Sequence, residues 1–365
     1  MRTILVPSMV LLLGACAQLL SYDDYRARDE LRVDAAPSDV VEDTAPVRPG
    51  KWPPRPTGAA APSGKGQTRW FGVRRFTTGT TTPEGWRTVG YDLDDRCTTT
   101  TDTAGTCTRA AGAEANVVAD GADCRDNNFG KLLASLASIT GAIDGPGEQA
   151  IAEGGSTWLL RIDDIDGSDD AYAPGKLYNA ALETTPPKWD GTDVRSVVSS
   201  SLLAGNLETP IGDFPSGYIR GGVWVSGNPL SKVYVLPITA AYGITLVLEG
   251  SLVTLDLEPP RGTPSRGVLV GAIPMSDADK FYGPIAANVG KCPGSIEYNL
   301  ARQTIERFPD LVKGTPGLQR AGVACDALSL GLGFEVLPVR PATKVVPPRT
   351  LNSPCGDAGT SAEAG

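Results

Sequence analysis

The sequence predicts a mainly β protein, an antiparallel β-sandwich of jelly-roll type with two short helices and disordered ends. Three observations predict it. Glycine and proline supply 43 and 30 of the 365 residues, a content of chain breakers that excludes a coiled coil, a helical bundle and a polytopic membrane protein. Between Thr68 and Arg340, short apolar runs are separated by Gly, Pro, Asn and Asp, the rhythm of an antiparallel all-β domain. Apolar residues at helical spacing stand out in only two short stretches.

From the N-terminus, Arg2 precedes an apolar run from Ile4 to Leu13. About ten residues cannot cross a hydrocarbon layer that takes about 20 helical residues, so residues 1–15 are expected to be a signal peptide. Residues 16–67 follow as a lipid-anchored disordered linker. Pro37, Pro46, Pro49, Pro53, Pro54, Pro56 and Pro62 interrupt it, and only Asp23 to Val33 has the pattern of a short helix. A flexible chain of that length spans about 40 Å, enough to hold a domain clear of lipid headgroups.

The expected domain, residues 68–340, contains eleven strand candidates: Trp70–Phe76, Trp86–Leu93, Thr157–Ile162, Lys176–Leu182, Val194–Val198, Tyr218–Val225, Lys232–Ile238, Ile244–Leu248, Leu252–Leu257, Val268–Ile273 and Leu328–Val336. Phe129, Leu132, Leu133, Leu136, Ile139 and Ile143 recur at helical spacing behind Asn127 or Asn128 as N-cap, and a second helix is expected over Ile296 to Phe308. Gly145-Pro146-Gly147 is the one visible seam, should the chain form two domains. Residues 341–365 return to proline and small residues, as a tail pinned by Cys355.

Leu13-Gly14-Ala15-Cys16 resembles the lipobox of bacterial lipoproteins. That resemblance implies cleavage before Cys16, a diacylglyceryl group on its sulfur, and attachment to a membrane through the N-terminal lipid. Ala17 and Gln18 follow in place of the Asp that retains such proteins at the inner membrane, so the outer membrane is the implied destination. The runs GWRTVGYDLDDRC, WDGTD and LSLGLGFEV are similar to uncharacterised lipoproteins of Gram-negative bacteria, a resemblance that carries no known activity.

Without Cys16, six cysteines remain: Cys97, Cys107, Cys124, Cys292, Cys325 and Cys355. An even number in an exported chain suits three disulfides, and no CxxC pair favours zinc instead. Spacing suggests Cys97 with Cys107 around the Thr98–Thr106 loop, Cys292 with Cys325 around the second helix, and Cys124 with Cys355.

Histidine is absent, which removes His-based triads, His-ligated metals and His pH switches. A net charge of -9 with no basic run argues against nucleic acid as a partner. A nucleotide site is rejected because Gly58 to Gly66 misses the P-loop spacing and Gly66 stands where Ser or Thr is needed.

Asp120-Gly121-Ala122-Asp123-Cys124-Arg125-Asp126-Asn127 resembles the DGxDxxDN half-repeat of thrombospondin type 3 calcium loops, which implies Ca²⁺ ligation by Asp120, Asp123, Asp126 and Asn127. It departs from that family at Val118, where an Asp belongs. Asp92, Asp94 and Asp95 lie close to Cys97 and would complete the site if the bridges join the two loops. The acidic run Asp163 to Asp170 fails the EF-hand register, which puts Ile162 and Ala173 where carboxylates are required. All three clusters also suit solvated turns in which Asp and Asn bond their own backbone.

For catalysis, strand alternation places Asp256 and Glu258 on one face with Cα atoms about 7 Å apart, near the carboxylate spacing of glycosidases. Trp70, Trp86, Trp158, Trp189 and Trp224 could include a sugar-stacking platform, or fill the core. The sequence therefore points first to a non-enzymatic binding or adhesion module with a glycan or protein ligand, and second to a carboxylate-dependent carbohydrate-active enzyme.

Overall fold

The structure, a computed structural model, describes residues 50–349 except 59, 83, 141–143, 238–242, 261–262, 289 and 315–320, together with Cys355. The expected signal peptide, Cys16 and the helix over Asp23 to Val33 lie outside the described residues. Twelve strands are present among those described: β1 (Gln67–Thr77), β2 (Thr157–Ile165), β3 (Gly175–Ala180), β4 (Val197–Val198), β5 (Gly212–Phe214), β6 (Tyr218–Arg220), β7 (Val223–Val225), β8 (Leu230–Pro237), β9 (Gly243–Asp256), β10 (Ser265–Pro274), β11 (Ala327–Pro338) and β12 (Val345–Val346).

The molecule is mainly β, but its strands form one curled mixed sheet where two stacked sheets were expected. Its order is β12-β4-β3-β2-β1-β11-β10-β9-β7-β6, with β5 added beside β3 and β8 beside β9. The pairings are antiparallel, save β12 beside β4. Beyond β6, Asp170 and Ile219 exchange both backbone hydrogen bonds, at 2.9 and 2.8 Å, which ties the sheet end back to the β2–β3 connection.

Two features of sequence produce the curl. The runs Ile244–Leu248 and Leu252–Leu257, read as separate strands, belong to the single strand β9; Gly250 between them takes φ +57, at a bulge that redirects the strand. β9 pairs with β8 chiefly before that bulge, and with β10 and β7 chiefly beyond it. The second feature is the alternation of β11. Leu328, Leu330, Leu332 and Phe334 enter the main core, while the intervening Gly331 lets the segment at Val89-Gly90 lie against the outer face; a Cβ there would stand 2.7 Å from the Val89 carbonyl oxygen. Trp86–Leu93, expected as a strand, is this covering segment, with one 3₁₀ turn at Gly85–Thr88.

Four helices are present among the described residues where two were expected. α1 (Asn128–Thr140) lies on β11, α2 (Asp144–Ala152) on β1 and α3 (Ala278–Asn288) on β9, with α4 (Ile296–Ile305) beside α3. The expected seam at 145–147 is inside α2. Pro146 sits in its first turn, where a missing N–H costs nothing, and the buried Asp144 carboxylate accepts from the Thr78 amide and hydroxyl at 3.0 and 2.7 Å. In α3 the internal Pro284 hid a helix whose Phe281, Tyr282 and Ala286 are buried.

The tryptophans mostly fill the core. Trp158 is buried against Phe76, Tyr234 and Phe334 and donates to the Val235 carbonyl at 2.6 Å; Trp224 is buried and donates to the Ala173 carbonyl at 2.8 Å. Trp70 and Trp86 are buried too, so no platform is built from these four, and Trp189 is half-buried against Gly72.

The ends of the described chain are docked. Where the linker was expected to run to residue 67, Pro56 is already buried, and Arg55 donates to the Ala171 and Ser216 carbonyls. Beyond residue 340, Ala342 is buried and β12 extends the sheet.

Candidate metal centre

Three disulfides bind the fold, and their pairing differs from the one spacing suggested: Cys97–Cys124, Cys107–Cys325 and Cys292–Cys355. The Thr98–Thr106 loop needs no bridge of its own, since Asp102 turns it through hydrogen bonds with Thr99. Cys97 faces Cys124 because the two loops run side by side, with Tyr91 bridging Asp126 and the Asp120 amide donating to the Thr98 carbonyl at 3.0 Å.

That alignment gathers Asp92, Asp94 and Asp126 into one buried cluster, with an oxygen of each within 4.8 Å of the others. Each is positioned by backbone. Asp126 Oδ2 accepts from the Leu93 amide at 2.6 Å, Asp94 Oδ1 from the Arg96 amide at 2.9 Å, and the Asp92 amide donates to the Gly50 carbonyl at 2.8 Å. Asp120 stands at the edge, its Oδ2 accepting from the Thr98 amide at 2.6 Å. On the far side the buried Asp310 accepts from the Ser329 amide at 2.8 Å and hydroxyl at 2.5 Å.

Two lysines stand beside the cluster. Lys51 pairs with Asp92 and Asp95, at 3.2 and 2.7 Å, and Lys131 donates to the carbonyls of Asn116, Val117 and Ala119. Two unit charges 4.8 Å apart repel by about 3–4 kcal/mol at an effective dielectric near 20, so the cluster resists ionising together. Burial, followed by the charges of Asp94, Asp120 and Asp310, pushes the Asp126 carboxyl well above the usual range. Burial, with Asp94 and Asp310 adding to it, pushes Asp120 up to about 8, and burial pushes Asp310 up to about 7 against the Ser329 hydrogen bonds. Burial also raises Asp92 despite Lys51, and lowers the Lys131 ammonium to about 8.

Either protons or a cation must relieve this repulsion. The donors are all oxygen, the preference of a hard cation. Oxygens on opposite sides of a Ca²⁺ lie about 5 Å apart at its usual bond lengths, so one ion fits among atoms separated by 4.8 Å.

Of the four ligands the calcium-loop resemblance implied, two reach the cluster. Asp123 is exposed at φ +54 and pairs with Arg125 at 2.6 Å. Asn127 is buried but fully engaged: its Oδ1 accepts from the Gly130 amide at 3.0 Å and the Gly331 amide at 2.9 Å, and its Nδ2 donates to the Trp86 carbonyl at 3.1 Å. It caps α1 and clamps that helix to β11. Asp92 and Asp94 replace the two, brought there by the Cys97–Cys124 bridge between the loops. Asp310 had no sequence signal, being 184 residues from Asp126 and outside any motif.

The remaining candidates separate. Asp163 binds Arg161 and Thr68, while Asp164 accepts from the amides of Ser63 and Gly66 at 2.6 and 2.9 Å, so the segment rejected as a P-loop cradles a carboxylate. Asp256 is half-buried, with Oδ1 accepting from the Glu258 amide at 3.0 Å, whereas the Glu258 side chain is exposed at a cleft that Asp256 does not line. Comparison of the chain with protein-family models, curated proteins and solved structures gives no match.

Proposed function

We infer that this chain is an exported lipoprotein, anchored at the outer membrane by a lipid on Cys16, whose β domain is a non-enzymatic binding module organised by Ca²⁺ at Asp92, Asp94, Asp120 and Asp126. The observation that carries the reading is the cysteine count. Six of seven cysteines pair with one another in the fold, which leaves Cys16, at the end of the lipobox-like run, as the one cysteine without an intrachain partner. Three disulfides also suit an oxidising compartment outside the cytoplasm. The cleft that Glu258 lines does not include Asp256, and this favours binding over glycoside hydrolysis.

The test is fractionation of cells expressing Cys16→Ser. The substitution is expected to abolish labelling by a fatty-acid analogue and to release the protein from the outer-membrane fraction, with the disulfides still formed. A variant that stays membrane-bound would overturn the anchoring.

A further inference from the structure

The seam where the curled sheet returns on itself opens into a cleft of about 300 Å³, at the lower end of the range for small-ligand sites. Its floor is apolar, built from Ile165 at the end of β2, Ile219 on β6 and Leu257 just beyond β9, all buried. One wall is basic. Gln67 and Arg69 share a face by strand alternation at the start of β1, where Gln67 pairs with Ile165, and Lys65 lies just before the strand. The opposing charges are Asp166, in the β2–β3 connection, and Glu258, after β9.

These walls are fixed by backbone. The Gly222 amide donates to the Ser168 carbonyl and the Leu257 amide to the Gly222 carbonyl, at 2.8 and 2.9 Å, so the β6–β7 turn clamps the acidic segments beside the basic strand. Lys65, Arg69, Asp166 and Glu258 nevertheless form no ion pair among the described residues. The contrast is local: four residues before Ile165 on β2, Arg161 pairs with both Asp163 and Glu208, at 2.8 and 2.7 Å. Two cations and two anions thus line one cleft without pairing with each other among the described residues.

We propose that this cleft binds a small dipolar ligand, a short peptide whose carboxylate meets Lys65 and Arg69 and whose ammonium meets Asp166 and Glu258. Such a ligand completes both halves of the charge pattern. A neutral sugar would leave all four charges unanswered, and an ion of either sign would meet two like charges. The proposal deepens the binding-module reading and rests on it, but not on the lipid or the calcium.

The test is calorimetric titration of the detergent-solubilised mature protein with leucyl-leucine, its N-acetyl, its amide and its doubly capped forms, and cellobiose. Leucyl-leucine is expected to bind, and each single cap to weaken binding by about tenfold. Glu258→Gln should weaken leucyl-leucine but leave N-acetyl-leucyl-leucine, which has no ammonium, unchanged; Arg69→Gln should do the converse with the amide. Both residues are exposed, so an unchanged melting temperature verifies the fold. Absence of leucyl-leucine binding, equal binding of the doubly capped form, or tighter binding of cellobiose would each overturn the proposal. Those results leave the Cys16→Ser fractionation untouched, so the two readings fail separately.

Discussion

Asp126 has the most consequential side chain in the cluster, because it is buried between carboxylates from two loops that a disulfide holds together. The sign of its pH effect follows from the shared direction of the shifts. Asp120 and Asp310 titrate near 8 and 7 in the folded protein against an ordinary value of 3.8, so between those limits the folded state binds more protons than the unfolded chain. Stability from these groups is therefore complete below pH 3.8 and lost as the pH climbs through 7 to 8. In EDTA the melting temperature should fall between pH 5 and pH 8; at pH 8, millimolar Ca²⁺ should restore it by a few degrees, since an ion bound only by the folded state at a hundredfold over its Kd adds about 2.7 kcal/mol. Asp126→Asn should remove the calcium response and flatten the EDTA profile, whereas Asp123→Asn, at an exposed Arg125 pair, should leave both as they are. Superimposed EDTA and Ca²⁺ melts at pH 8 would refute the ion.

Among the elements, α1 shows how a short motif serves structure where it promised ligation. Asn127 makes three hydrogen bonds, to the Gly130 amide in α1, to the Gly331 amide in β11 and to the Trp86 carbonyl; its truncation strands the buried Gly331 amide, whereas the Trp86 carbonyl keeps the Val89 amide. Asn127→Ala should cost about 3 kcal/mol, read as a lower urea midpoint at constant slope, with Asn127→Asp intermediate because it keeps both acceptor contacts. A loss below about 0.5 kcal/mol would mean that the clamp is dispensable. The helical spacing from Phe129 to Leu136 was legible because one face is apolar, and the alternation in β10 and β11 because one face is core. Pro146 and Pro284 concealed α2 and α3, since a proline tolerated within a helix reads in sequence as a break. The site was half legible for a related reason. Asp120 and Asp126 sit in a local pattern, and Asp92 and Asp94 needed only one bridge to reach them. Asp310 and Lys51 arrive through tertiary packing that no local spacing encodes.

For the whole molecule, the position of β1 decides how many cooperative units the chain contains. This N-terminal strand lies between β2 and β11, so its two neighbours come from beyond residue 156 and its register with β11 joins Phe71 to Pro338 and Thr77 to Gly333. A cut at residues 145–147 would take from the sheet the strand on which both neighbours depend. Cys107–Cys325, separated by 218 residues, ties the same halves covalently, and in the chain-entropy model a closed loop of that length is worth about 5 kcal/mol. The expected behaviour is one unfolding transition, with far-ultraviolet dichroism and tryptophan fluorescence coincident in urea, because Trp70, Trp158 and Trp224 are reporters spread across the same sheet. Two resolved transitions, with Trp70 and Trp224 responding at different urea concentrations in single-tryptophan variants, would show that the curled sheet divides in two.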